Sequence, residues 1–91
     1  MAVCRIVETG RTPDEFNQVA EKLGISGGIP PGAKVHIAAL GDDGKIQVIG
    51  VWDSSEQADE FGQKVRAARE ELGLGGMPAF TDLEVHEYAT G

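Results

Sequence analysis

A predicted β-hairpin at residues 34–53 constrains the fold more than any other feature of the sequence. Two runs rich in apolar residues flank the sequence GDDG at 41–44, and Asp-Gly between such runs is the strongest short-range signal for a hairpin. His36 lies in the first arm, and Trp52, the only tryptophan, closes the second. The segment therefore predicts two adjacent antiparallel strands that carry a histidine and a tryptophan.

Two amphipathic helices are predicted, one on each side of this hairpin. The first begins at Thr12, where Pro13 suits the first helical position and Glu15 completes a capping box, and it ends at Gly24. Helical spacing gives it one apolar face, formed by Phe16, Val19, Ala20 and Leu23. The second helix is capped within residues 53–55 and stopped by Gly73, and its apolar face is formed by Ala58, Phe61, Val65, Ala68 and Leu72.

Two further strands complete the predicted order of elements. Residues 3–8 are rich in β-branched residues, and residues 80–89 alternate between apolar and polar side chains. Residues 25–32 (ISGGIPPG) are expected to form a loop, and Met77-Pro78 to lead into the last strand. The order β-α-β-β-α-β predicts an α+β, ferredoxin-like domain spanning residues 1–91, with a four-stranded antiparallel sheet and both helices on one face.

The hairpin register decides which side chains face the helices, because successive residues of a strand point to opposite faces. A turn of two or four residues places Trp52 on the face with Val35 and Ile37, and His36 on the other face. A three-residue turn with a bulge would exchange this assignment. We expect the first arrangement, with Trp52 between sheet and helices. Neither face of the hairpin is polar, so we expect a second copy of the chain to cover the face without helices, forming a homodimer.

Composition narrows the classes of partner and location. The 91 residues carry a net charge of −7 and no run of Lys or Arg, which argues against binding to nucleic acid or to an anionic membrane surface. The sequence has no leader-like segment and no apolar run long enough to span a membrane. The single cysteine, Cys4, cannot form an internal disulfide. A cytoplasmic protein is therefore expected.

Several stretches of the chain resemble a known family. They are PPG followed by VH at 35–36, DDG at 42–44, VWDSSEQADEF at 51–61, LG at the end of the second helix and EVHEY at 84–88. Together they are similar to the dimeric α/β-barrel superfamily, and within it to small antibiotic-biosynthesis-monooxygenase-like domains, especially a bacterial subgroup. The resemblance covers nearly the whole chain.

This resemblance implies a homodimer in which two sheets face each other to form a barrel. It also implies a pocket between the sheet and the helices of one subunit, and an activity such as cofactor-independent oxygenation or isomerisation of a small aromatic or polyketide-like compound. Trp52 matches the family's tryptophan before the second helix. Haem-degrading relatives also need an asparagine, and the only one here, Asn17, lies inside the first helix. The alternative is a non-catalytic or stress-related dimer that binds a small apolar ligand.

Three residues are candidates for chemistry, and each has a simpler structural role as an alternative. His36 is the best acid or base, since the ordinary pKa of histidine suits proton transfer near neutral pH, but a strand histidine is more often hydrogen-bonded in a core or interface. Trp52 either stacks on a planar ligand or anchors the core, and His86 is a weaker candidate that could approach the partner's His36 across the dimer. The expected pocket is lined by Trp52, Phe61, Phe16 and Val48. No metal site or cofactor is predicted, because two distant histidines and one cysteine are too few ligands.

Overall fold

Four strands and two helices follow one another in the predicted order. The computed structural model describes residues 1–25, 28–76 and 78–90. The elements are β1 (Val3–Glu8), α1 (Pro13–Leu23), β2 (Ala33–Leu40), β3 (Ile46–Trp52), α2 (Ser55–Glu71) and β4 (Ala79–Glu84). The strands form one antiparallel sheet in the order β2-β3-β1-β4, and both helices lie on one of its faces. The predicted ferredoxin-like α+β fold is confirmed.

Both helices begin at side-chain caps that the sequence predicts. The Thr12 hydroxyl accepts a hydrogen bond from the Glu15 N–H, and the Glu15 carboxylate accepts one from the Thr12 N–H at 3.0 Å. Gly24 then ends α1 in the left-handed conformation, with φ of 73°. At the start of α2 the Ser54 hydroxyl accepts from the Gln57 N–H at 3.2 Å. These caps satisfy N–H groups that a helix leaves unpaired at its first turn.

The hairpin turn contains three residues, Asp42, Asp43 and Gly44, and not the expected two or four. The Gly41 N–H donates to the Lys45 carbonyl at 2.9 Å, and the Gly44 N–H donates back to the Gly41 carbonyl at 3.0 Å. Gly44 has φ of 78°, a conformation that glycine adopts without steric cost. Such a three-residue turn with a left-handed glycine is a common way to close a hairpin.

This turn reverses the predicted assignment of faces. His36 pairs with Gly50 and Ile37 with Ile49, so even positions of β2 share a face with even positions of β3. His36 therefore lies on the helix-facing side with Trp52, and the expectation that the two are on opposite faces was wrong. Val35 and Ile37, expected against the helices, lie instead on the face that no helix of the described chain covers.

The face without helices, here called the open face, is largely apolar. Ile37 and Leu83 are 47% and 52% exposed on it. By strand alternation the same face carries Cys4, Ile6, Thr81, Val35, Ile49 and Val51, with the polar residues Glu8 and Gln47 near the hairpin turn. An apolar sheet face of this kind is typical of a surface that a partner covers.

Strand β4 is shorter than predicted. It runs over Ala79–Glu84 and does not reach Ala89. Its neighbour β1 offers only six residues for pairing, and one more backbone bond, from the Val85 N–H to the Ala2 carbonyl at 3.0 Å, ends the ladder. His86 therefore lies beyond the sheet, although its sequence alternation resembles a strand.

The end of α2 also differs from expectation. Leu72, predicted on the apolar face, forms the C-terminal cap and is exposed, because left-handed Gly73 turns the chain away from the helix axis. Arg69, one turn earlier, is buried in its place. The last turn of α2 thus brings a positive charge into the interior.

Neither helix in the described residues is both long and apolar enough to cross a lipid bilayer. The described part of the predicted loop at 25–32 has no regular helix or strand. Ser26 and Gly27 of that loop, and Met77 before β4, lie outside the described residues.

Candidate functional site

A cavity of about 370 Å³ lies between the helix-facing side of the sheet and the two helices. Its size falls within the range of small-molecule sites. The wall is predominantly apolar and includes Val7, Phe16, Val19, Leu23, Val48, Trp52, Phe61 and Val65. All four residues predicted for the pocket, Trp52, Phe61, Phe16 and Val48, line it. They do not fill it, so the space between sheet and helices remains available to a ligand.

Trp52 and Phe61 form an aromatic pair at the wall of this cavity. Their ring centroids are 5.4 Å apart with an interplanar angle of 34°, a favourable arrangement for aromatic side chains. Trp52 is only 4% exposed, so it anchors the core and borders the cavity at once. A planar ligand in the cavity would meet an aromatic surface.

Gly50 makes room for the indole ring. A Cβ atom at this position would lie 2.8 Å from Trp52 Nε1, closer than real contacts allow. Gly50 pairs with His36 on one side and with Arg5 on the other. The Trp52 indole nitrogen consequently lies above Gly50, in the row of the sheet that contains His36 and Arg5.

His36 is the titratable group best placed for proton transfer. It lines the cavity on the same sheet face as Trp52. Burial lowers the pKa of His36 below its usual value, because the interior solvates an imidazolium poorly. The imidazole is therefore neutral at pH 7, and a neutral imidazole carries one nitrogen that accepts hydrogen bonds.

Arg5 is a cavity residue that the sequence analysis missed. It lies in β1, one of the two inner strands, and is 9% exposed. It donates to both carboxylate oxygens of Asp82 at 2.7 and 2.8 Å and to Asp59 at 2.7 Å. Its guanidinium also lies over the Phe80 ring, 4.2 Å from the centroid. One side chain thus connects β1 with the edge strand β4 and with α2. The sequence held one signal for it. Arg5 is the charged residue in the middle of VCRIVE, and it alternates with Val3 and Val7 on the same face of the strand.

The ion pairs of Arg5 shift the pKa of both Arg5 and Asp82. Hydrogen bonds to Asp82 raise the pKa of Arg5, and those from Arg5 lower the pKa of Asp82. Arg5 stays positively charged, and its charge is balanced by two carboxylates. The cluster is therefore suited to holding the cavity wall together.

His86 is not part of the cavity. It is exposed beyond β4 and lies near Met1 and Ala2 at the start of the chain. β2 and β4 are the two opposite edges of the sheet, which keeps His86 away from His36 within one chain. Because His36 faces the helices, a second copy covering the open face would not bring its His86 to His36 there.

No metal centre forms within residues 1–25, 28–76 and 78–90. No group of three His, Cys, Asp or Glu side chains lies close enough together there to hold an ion. Cys4 is a free, half-buried thiol, and its position in β1 places it on the open face, away from the cavity.

Comparisons with protein-family models, with curated proteins and with solved structures gave no match. The assignment of a function therefore depends on the cavity and on the residues that line it.

We predict that Asp82→Asn destabilises the protein by about 1–3 kcal/mol at pH 7, because it weakens a charge-assisted interaction with a buried guanidinium. Asp82 has a lowered pKa in the folded state, so its contribution is present above the unfolded-state pKa of about 4 and is lost as pH falls through the lower folded value. Urea unfolding from pH 7 to pH 2 should show the difference between wild type and variant shrinking below about pH 4. Asp42→Asn, in the exposed hairpin turn, is the control. A pH-independent difference would contradict this account of Asp82.

Proposed function

We propose that the protein binds a small planar aromatic compound in the cavity between its sheet and its helices. The observation that carries the proposal is the wall of the 370 Å³ cavity, on which Trp52, Phe61 and His36 come together. The two rings offer a stacking surface and the surrounding aliphatic side chains exclude water. The neutral imidazole offers a hydrogen-bond acceptor for a phenolic or enolic hydroxyl group.

A second candidate function adds chemistry at the same place. The resemblance to antibiotic-biosynthesis-monooxygenase-like domains suggests cofactor-independent oxygenation or isomerisation of a polyphenolic or polyketide-like compound. The position of His36 in the same cavity as Trp52 favours this candidate, because both reactions begin when a base takes a proton from the substrate's hydroxyl group or ring carbon. His36 would be that base, and Trp52 would hold the ring.

A homodimer is the third part of the proposal. The open face offers half-exposed Ile37 and Leu83 beside several further apolar side chains. Burying that face against a second copy would remove apolar surface from water on both chains. The cavity lies on the other side of each sheet, so each subunit would keep its own pocket.

Binding can be tested by filling the cavity through Gly62. This glycine lies within α2 on the cavity wall, and a Cβ atom there would meet nothing within 4 Å. Gly62→Leu should weaken the binding of 2-naphthol, measured by isothermal titration calorimetry, at least about tenfold, while thermal stability stays the same or rises because glycine disfavours helices. Gly62→Ala is the matched control and should still bind. Failure of the wild type to bind, or equal binding by Gly62→Leu, would contradict the proposed site.

The catalytic candidate predicts oxygen consumption with a naphthalenediol above the uncatalysed background. His36→Gln should lower that rate about 10²-fold or more, the usual contribution of a general base. The wild-type rate should fall as pH drops through the lowered pKa of His36, because the protonated imidazole can no longer accept a proton. His86→Gln is the matched control and should retain the rate. A wild-type rate equal to background would leave a binding protein without this activity.

For the dimer, we predict that Ile37→Glu shifts the protein from dimer to monomer in sedimentation equilibrium. A carboxylate on the open face cannot be buried against an apolar partner without a large desolvation cost. Gln18→Glu adds the same charge to the exposed side of α1 and should leave the dimer intact. A monomeric wild type at concentrations of about 100 μM, where micromolar affinity would produce a dimer, would disprove this part of the proposal.

A further inference from the structure

All four arginines of the chain lie on the wall of the cavity. None of the four lysines does, although every lysine is within the described residues. The protein as a whole carries a net charge of −7, so its cavity gathers positive side chains that the overall composition makes scarce. The arginines are Arg5, Arg11, Arg66 and Arg69.

Three of these arginines have carboxylate partners. Arg5 forms two ion pairs, Arg11 lies 3.6 Å from a Glu15 oxygen, and Arg66 lies 3.4 Å from a Glu70 oxygen. Each of these charges is compensated by the protein itself. They do not by themselves call for an anionic ligand.

Arg69 differs from the other three arginines. It is 6% exposed, and across the described ranges of the chain it forms no ion pair with a carboxylate. Its Nε–H donates to the Leu74 carbonyl at 3.3 Å, a neutral partner. Burial lowers the pKa of Arg69, the positive charge of Arg11 lowers it further, and the negative charge of Glu15 has a smaller effect that raises it. A buried charge with no carboxylate in direct contact is costly, and an anion bound beside it would offset that cost.

Arg69 and Arg11 lie at the same end of the cavity. Arg69 binds the segment after α2 through Leu74, and Arg11 binds it through the Gly75 carbonyl. Arg11 follows β1, and its carbonyl accepts from the Ile46 N–H at 2.8 Å at the start of β3. The row of the sheet that contains His36 and Gly50 meets β1 at Arg5. Thr9, at the end of the cavity where Arg11 lies, is four residues further along the chain. At the rise per residue of a strand, Arg5 and Thr9 are roughly 13 Å apart.

The cavity is therefore polarised along the strands. One end presents Trp52, Gly50 and His36 together with Arg5, whose charge is already paired with two carboxylates, and the other presents the guanidinium groups of Arg69 and Arg11. We propose that the ligand is an aromatic carboxylate, with its ring toward Trp52 and Phe61 and its carboxylate bound by Arg69 with the support of Arg11. The planar fork of a guanidinium matches a carboxylate with two parallel hydrogen bonds. This inference rests on the proposed function and specifies its ligand class.

The test compares two compounds with the same ring system and hydroxyl group, 2-naphthol and 6-hydroxy-2-naphthoate, by isothermal titration calorimetry. Wild type should bind the carboxylate at least about tenfold more tightly, as expected for a charge-assisted hydrogen-bond pair. Arg69→Gln should reduce this preference to about twofold or less, while Arg69→Lys should keep part of it, because lysine retains the charge but not the fork. Lys64→Gln removes the same charge from an exposed position of α2 outside the cavity wall and should keep the full preference.

The outcomes separate this inference from the proposal that it extends. Equal binding of the two compounds by wild type overturns the carboxylate inference and leaves the aromatic-binding proposal standing. Binding of neither compound overturns both. An unchanged preference in Arg69→Gln also overturns the role of Arg69. Circular dichroism establishes whether that variant is folded. If it is not, a partial loss of the preference in Arg69→Lys supports the role of Arg69, and a full preference in Arg69→Lys overturns it.

Discussion

The left-handed conformation of Gly44 determines which side chains of the hairpin line the cavity. A turn of three residues pairs even positions of β2 with even positions of β3, and a change of one residue would turn every side chain of one strand to the other face. In the observed register the helices face His36 and Trp52 together. The site thus depends on backbone geometry in a turn that lies outside the cavity.

Arg5 introduces a second constraint, because it occupies a position where an inner strand of the sheet would ordinarily carry a hydrophobic side chain. Two carboxylates satisfy the guanidinium, one on β4 and one on α2. Ion pairs fix distances and directions more tightly than apolar contacts do, although their net contribution to stability is modest. The arrangement holds α2 and β4 around the cavity, which side chains do not fill. A charged residue at this position also reduces the apolar area that the core buries.

The elements of the fold were predictable from local signals, and the faces of the sheet were not. The capping box at Thr12, left-handed Gly24 and the β-branched run of β1 act within a few residues, and the structure has each of them where the sequence predicts it. The length of the hairpin turn, and with it the face on which each side chain lies, could not be predicted from local sequence, because GDDG is compatible with turns of different length. The length of β4 depends on how far β1 extends, which is a property of its partner.

The candidate site was predictable only in its apolar part. Phe16 and Phe61 follow helical spacing, and Val48 and Trp52 follow strand alternation, so hydrophobic patterning finds them. Arg5 and Arg69 escape such a search because their burial depends on distant residues, the carboxylate of Asp82 and the turn at Gly73.

The inward-facing charge of Asp82 also bears on how the sheet ends. β4 is an edge strand, and one side of its backbone has no neighbour within the described chain. Exposed edges of this kind recruit strands from other molecules, and natural proteins discourage this with charges that point inward from the edge strand. A strand added beside β4 would approach the carboxylate that Arg5 holds in place, and desolvating it would oppose the addition. The residue that ties β4 to the sheet thus also adds a desolvation cost to the pairing of another strand at that edge.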